Sequence, residues 1–402
     1  MRINFRRVFY ITGLICLALC YSLLWLRMIT SKAERTGSDF IALYAAGRVA
    51  RLDGMSKVYD PLLQQAVEQE QVGFELVPGQ VLLYNHVPYL VPILWLIAGK
   101  SYLFSFIAWS ALLVLIYGIG AWVLIRIVHP GHPYNWLYAA AILTFFPLFI
   151  SLMNGQDTAF VFLGLCLWLA GLLSSDDCMA GLGLSFTTVR PQLAVLLAVA
   201  FLFRRRKVLV WFCVGAGILG LASLAAVGLQ GMRGFFIQIL VSASGEWYGL
   251  KEALMVNLVG LLWRIAPGLG GVIIHGIGWA FYGFVLVGLC VLWARSREIG
   301  EKQIVIALTL ALFASPHLHY HDLTFLLVIL IAATSLIARG GFIQPRDTAM
   351  GPLSISIILL LGSLVPVLKY NLPYVVMVII VLIVWYPEKF NLFWKRKVEI
   401  IS

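Results

Sequence analysis

Apolar residues in this chain run in long blocks near twenty residues, parted by short polar breaks. A helix of that length spans the ~30 Å hydrocarbon core of a bilayer. Hydrophobic residues make up 61% of the 402 positions and charged ones 12%, roughly half the charge a soluble protein carries. Two or three soluble domains are therefore excluded. The pattern predicts an all-α, polytopic transmembrane protein with roughly 11–13 membrane helices, some of them short and re-entrant. Spans are expected near 8–29, 102–125, 134–152, 157–174, 179–203, 208–228, 271–294, 303–315, 322–338, 350–367 and 373–386. The 179–203 stretch reads as a hairpin turning at Arg190-Pro191. The first block follows Arg2, Arg6 and Arg7 and reads as an uncleaved anchor, because Ser31-Lys32-Ala33-Glu34 is a poor cleavage site.

The net charge of +11 suggests nucleic acid only until it is mapped. Basic residues collect on the cytoplasmic side of membrane proteins, and 17 of the 29 Lys and Arg fall on one side of this map. With the seven acids beside them that side carries +10, while the other carries −1. The excess is topological, and nucleic acid is not an expected partner; membrane lipids are. Both termini and Arg204-Arg205-Arg206-Lys207 should be cytoplasmic. The six cysteines lie in or beside apolar spans with no C-x-x-C pairing, and read as small core residues.

The longest polar stretch, 30–86, should face the opposite side. Within it Ser38–Leu52 mixes apolar and basic positions as an interfacial helix would. Asp60-Pro61 gives a second helix start, with aspartate as cap and proline at the first helical position. Three apolar segments are too short to cross comfortably: 87–98, 254–266 and the two halves of 179–203. Broken helices survive in a membrane where they are buried in protein or line a wet cavity. A cavity opening on the far side explains all three. The chain reads as one polytopic domain, 1–402, in which 1–228 carries the loop 30–86 and 229–402 completes the cavity.

Several polar groups need a reason. Asp39 opens the first loop helix, either as a cap or as a working carboxylate. Arg190 sits in an apolar stretch, where a guanidinium is costly unless it meets an anion or water. Ser315-Pro316-His317-Leu318-His319-Tyr320-His321-Asp322 places three histidines between two apolar spans. Substrate contact, structural hydrogen bonding and a metal site on His317, His321 and Asp322 all fit that motif. Asn154-Gly155-Gln156-Asp157 is a polar cluster at a membrane edge, suited to sugar hydroxyls or to a plain turn.

In this order these pieces resemble the membrane glycosyltransferases of the GT-C fold, in particular glycosyltransferase family 87. The strongest part is Asp39-Phe40…Tyr44-x-Ala46-Gly47, continuing to Gly54…Val58-Tyr59-Asp60. Weaker agreements follow at Tyr84…Pro88, Gly155-Gln156, Arg190-Pro191-Gln192, Asn257…Gly260-Leu261-Leu262-Trp263-Arg264 and Ser315-Pro316…Asp322. The chain departs from the pattern at three places. Arg190 replaces the usual lysine, Asp157 stands where an amide or apolar residue is common, and His321 where an aromatic residue is expected.

The resemblance implies transfer of a sugar, such as mannose or arabinofuranose, from a polyprenyl-phosphate donor to a lipid or glycan acceptor. It implies a catalytic acid at Asp39 and inversion at the sugar carbon. A carboxylate at the membrane face can take the acceptor proton. Arg190, with His317 and Arg264, is expected at the donor phosphate. Tyr44, His86, Gln156, Asp157, His319, His321 and Asp322 are expected at the substrates. No cofactor is expected, and a divalent metal stays open. The expected location is the bacterial cytoplasmic membrane, with the site facing outward. Rival readings are a lipid-linked substrate transporter or flippase, which should show inverted repeats, and a non-catalytic membrane subunit.

Overall fold

A computed structural model of the protein describes residues 5–128, 139–140, 142–244, 252–297 and 299–330. All regular elements among these residues are helical. In chain order the helices are α1 (Phe5–Thr30), α2 (Lys32–Thr36), α3 (Phe40–Leu52), α4 (Pro61–Val72), α5 (Val91–Ile97), α6 (Tyr102–Val128) and α7 (Phe146–Asn154). There follow α8 (Thr158–Leu173), α9 (Asp177–Ser185), α10 (Pro191–Ala198), α11 (Arg206–Ser244), α12 (Leu258–Ile265), α13 (Gly271–Arg295) and α14 (Glu301–Ala314). A 3-10 turn, Tyr320–Phe325, comes after α14.

Four helices are long and apolar enough to cross a bilayer, over Ile11–Thr30, Tyr102–Ile127, Arg206–Val241 and Gly271–Arg295. Protein covers only 11% of the apolar window in the first and 17% in the third. Leu19, Leu23, Leu221 and Leu240 stand outward on them. Bare aliphatic surface on this scale needs lipid against it, so the chain is an integral membrane protein. Cys16, Cys20 and Cys213 are also exposed on these helices, which corrects their reading as core residues. Thr158–Leu173, Pro191–Leu202, Lys302–Ala314 and Tyr320–Leu330 are shorter apolar helices. The expected spans at 350–367 and 373–386, the start of 134–152 and the end of 322–338 lie outside the described residues.

Sidedness has a direct check. Glu70 and Arg206 are both exposed, on opposite sides of the charge map. In a background without native cysteines, Glu70→Cys should react with an impermeant thiol reagent in intact cells, and Arg206→Cys should react only after lysis. The reverse pattern inverts the topology.

Two elements differ from the sequence expectation. The span at 208–228 does not end in a loop. At Gly228 the backbone turns (φ 65°, ψ −178°) and the helix resumes to Ser244. A positive φ of this kind is open to glycine at little cost. The turn brings Phe235 against Tyr59, with ring centroids 5.6 Å apart. Helix α3, in turn, is not an interfacial helix with one wet face: ten of its 13 residues are buried. Gly47 lets it approach α5 so closely that a side chain there would overlap Leu94 and Ala98. The Tyr44 hydroxyl donates to the Gly99 carbonyl at 2.9 Å. Arg51 donates to the Leu96 carbonyl at 2.9 Å and lies over the Trp95 ring, so a basic side chain satisfies the open end of α5.

Helix α4 starts as the sequence predicts. The Asp60 carboxylate accepts from the backbone of Leu62 and Leu63, and Pro61 follows it. Its inner face then fixes the segment that leads to His86. Gln64 donates to the Val58 carbonyl at 2.7 Å and accepts from the Tyr84 N–H at 2.6 Å. Glu68 accepts from the Leu82 N–H at 3.1 Å. Burial pushes the Glu68 carboxyl up from its ordinary 4.5 to about 8, against the opposing pull of the Leu82 N–H.

The folded protein thus holds a proton on Glu68 across a range where the unfolded chain has released it. Its contribution to stability is full below pH 4.5 and fades as pH rises to about 8. Glu68→Gln keeps an acceptor for Leu82. It should melt close to the parent near pH 5 and well above it near pH 8.5, because a carboxyl moved from 4.5 to about 8 corresponds to roughly 4 kcal/mol between those two pH values. Melting curves in lipid nanodiscs measure this, and a constant offset across that range would exclude an ionising Glu68.

Candidate active site

The site begins where α7 ends. Gly155 takes the left-handed conformation (φ 67°) and its N–H bonds back to the Leu152 and Ser151 carbonyls. The Trp109 indole donates to the Gly155 carbonyl at 2.7 Å. Phe40 packs on the Gly155 α-carbon, and a side chain at 155 would meet the Phe40 Cβ at 2.7 Å. That contact sets Gln156 beside Asp39, and Gln156 Nε2 donates to Asp39 Oδ2 at 2.5 Å. Although Asp39 stands at the start of α3, its carboxylate makes no capping bond to the helix. The cap reading of Asp39 is therefore corrected: the carboxylate turns away from the helix it precedes.

Behind this pair lies a buried ionic cluster. Asp157 is fully buried; its Oδ2 lies 2.6 Å from His86 Nδ1 and its Oδ1 lies 3.1 Å from Arg190 Nη2. Arg190 Nε reaches Asp322 Oδ1 at 3.4 Å. Arg190 can do this because Pro191 starts α10 and leaves residue 190 outside both helices, at φ −122° and ψ 80°. The Tyr59 hydroxyl donates to the His86 carbonyl at 2.7 Å, which fixes the His86 backbone from the first loop. One guanidinium thus spans two carboxylates carried by different helical elements. An arginine has five N–H donors, more than these contacts take up, and the Arg190 side chain is 12% exposed.

The histidine loop closes the other side. Asp322 Oδ2 accepts from the His319 N–H at 3.0 Å. Ser315 and Leu318 are tied by their carbonyls to Asn257 Nδ2 at 2.7 Å and to the Val256 N–H at 2.9 Å. Helical turns begin only at Tyr320, so His317 and His321 are not one turn apart, as the metal reading required. No group of three or more His, Cys, Asp and Glu among the described residues is placed to hold a metal ion. The His317 and His319 rings are 4.8 Å apart. Burial, and in each case a neighbouring histidine, push both imidazoles below their ordinary value, so they stand neutral at neutral pH.

All of this surrounds one cavity of about 1140 Å³. Asp39, His86, Gln156, Arg190, His317, His319, His321 and Asp322 line it. The sequence-predicted residues thus converge, with Asp157 buried beneath His86 and Arg190. Two do not reach the cavity. Tyr44 is packed in the core with its hydroxyl on Gly99. Arg264 donates to the Ala253 and Met255 carbonyls at 2.9 and 2.8 Å and so shapes the segment before α12. The lining also holds residues the sequence reading passed over, among them Asn85, His275, Trp279 and Tyr282. His275 had a signal, since it is an ionisable residue inside the apolar span of α13.

The fold and the cavity together define a helical membrane protein with a polar, carboxylate-bearing pocket walled by apolar side chains. The profile of glycosyltransferase family 87 matches residues 87–316, and the chain belongs to that family. It is a membrane glycosyltransferase. The matched segment contains Gln156, Asp157 and Arg190, while Asp39, His86 and the 317–322 motif flank it. No curated protein and no solved structure matches the chain.

Proposed function

We propose that the protein transfers a sugar from a polyprenyl-phosphate donor to a hydroxyl of a lipid or glycan acceptor, with inversion, at the outer face of a bacterial cytoplasmic membrane. The observation that carries this reading is the Asp39 carboxylate. It faces the cavity, caps no helix and is oriented by Gln156 at 2.5 Å. In the reaction the bond between the sugar carbon and the phosphate oxygen breaks, and its electron pair leaves with the phosphate. The acceptor oxygen bonds to the same carbon from the opposite side, and its proton passes to Asp39. Arg190 faces the leaving phosphate with the donors that its two carboxylates do not occupy. Charge that develops on the phosphate is then met by a group already oriented for it.

Phe146, Ile150, Val195, Phe235 and Ile239 supply an apolar wall to the same cavity, which suits an isoprenoid chain. Asp39, Asp157 and Asp322 set three carboxylates against one guanidinium, with His317 and His319 neutral. These groups carry no net positive charge, so a bound phosphate depends on the directed N–H groups of Arg190 and not on the overall charge of the site. The test is incubation of the purified protein in nanodiscs with radiolabelled polyprenyl-phosphate sugars and extracted membrane lipids. Label should move to a lipid or glycan from at least one such donor. Transfer from nucleotide sugars alone would overturn the donor class.

A further inference from the structure

One wall of the cavity carries polar and aromatic side chains that the mechanism above does not use. His275, Trp279 and Tyr282 lie at successive turns of α13, on one face of the helix, and all three line the cavity. On the opposite face Ile273 and Phe284 are 53% and 73% exposed and point outward. Helix α13 therefore has an outer face of aliphatic and phenyl groups and an inner face of ring systems with polar atoms. Tyr282 anchors that inner face near the reaction centre, its hydroxyl donating to the Gln192 carbonyl at 2.8 Å, two residues from Arg190. His275 lies seven residues earlier, roughly 10 Å along the helix axis.

His275 is itself held. Its Nε2 lies 2.7 Å from Glu252 Oε1, and the two side chains are 14% and 13% exposed. Glu252 sits in the segment that Arg264 fixes through the Ala253 and Met255 carbonyls. A carboxylate against Nε2 selects the tautomer with the proton there, which leaves Nδ1 as an acceptor. The pair carries no net positive charge in either protonation state of the imidazole, so it is a poor phosphate site. An oriented imidazole acceptor beside an indole face suits a hydroxyl-bearing ring: the nitrogen takes an O–H and the indole covers the apolar C–H face.

We propose that His275, oriented by Glu252, and Trp279 form the acceptor subsite, holding a sugar ring of a glycan or glycolipid acceptor on the α13 side of the cavity. This rests on the transferase reading and adds which wall takes which substrate. The donor phosphate belongs at Arg190, and the acceptor ring lies along α13.

Equilibrium binding separates the two sites without any turnover. The parent protein in nanodiscs is titrated by calorimetry with a panel of hexyl glycosides of differing sugars, and separately with geranylgeranyl phosphate. At least one glycoside should bind. His275→Ala and Trp279→Leu should each weaken it tenfold or more while leaving geranylgeranyl phosphate within twofold. Trp279→Leu leaves the Glu252 pair intact and so guards against a fold defect at His275. Glu252→Gln should weaken the glycoside less than His275→Ala does. Failure of every glycoside to bind, or unchanged glycoside affinity in both variants, overturns the subsite. Loss of phosphate affinity in those variants overturns the division between the walls. Failure of the parent protein to bind geranylgeranyl phosphate would count against the donor reading and leave the glycoside titration standing as its own test.

Discussion

Replacing Asp39 by asparagine should leave a folded, inserted protein that binds its lipid donor and transfers sugar on the order of 10²–10⁴ times more slowly, the usual contribution of a general base. Asparagine is the informative choice because it keeps the size of the side chain and an oxygen that can still accept from Gln156 Nε2, now 2.5 Å from Asp39 Oδ2. Only the capacity to take a proton is lost. The carboxylate makes no bond to the α3 backbone, so Asp39→Ala should not show the ~1 kcal/mol loss of a broken cap. Asp60, which does cap α4, should show that loss as Asp60→Ala and keep near-parental turnover. The measurement is single-turnover transfer from a radiolabelled donor, with melting temperature recorded on the same samples. Parental turnover in Asp39→Asn would remove Asp39 as the base.

Much of this was legible in the sequence because the bilayer imposes strong rules. Span length and the breaks at Arg190-Pro191 and in 87–98 follow from hydropathy and proline chemistry, and the helices break there. The outcome at α3 was legible only in part, in Ala42, Ala45, Ala46 and Gly47, which allow another helix or a lipid to approach closely. A mixed apolar and basic pattern looks alike whether a helix lies on lipid or is enclosed by protein, and what decides is the close approach at Gly47. Arg264 was misplaced for a similar reason. Its charge suggests an anion at the cavity, while in the structure it donates to two carbonyls nearby in the chain. The helix beyond Gly228 was missed because Arg233 and Gln238 interrupt its apolar run, although Phe235 and Ile239 from it reach the cavity.

Convergence on one cavity could be read only as a resemblance, since Asp39, Gln156, Arg190 and Asp322 are far apart in the chain. The structure joins two residues that the sequence reading took as independent departures from the pattern it resembles. Asp157 and Arg190 are partners at 3.1 Å. A lysine at 190 would offer one point charge and no planar fork, so it could not reach Asp157 and Asp322 through separate, fixed N–H groups. The extra buried carboxylate and the arginine belong together.

That pairing changes what an arginine deletion should do. Arg190→Ala would strand Asp157 and Asp322, both 1% exposed or less, without their cation. Breaking a buried ion pair by removing one partner typically costs about 3–5 kcal/mol. This variant should therefore lose stability before its chemistry can be judged, with a melting temperature many degrees below the parent. Arg190→Lys is the variant that speaks to function. It keeps the positive charge between the carboxylates, so it should fold with a smaller loss. Its ammonium cannot serve two carboxylates and a phosphate together, so affinity for geranylgeranyl phosphate should fall at least tenfold, about 1.4 kcal/mol. Asp157→Asn should act in the opposite sense on the donor, because Arg190 then has one carboxylate fewer to satisfy, and phosphate affinity should hold or rise. Calorimetric titration of the three variants, beside their melting curves, reads both effects. An Arg190→Ala protein as stable as the parent would mean that the two aspartates do not depend on this guanidinium. Arg190→Lys with parental phosphate affinity would move the leaving group to another part of the cavity.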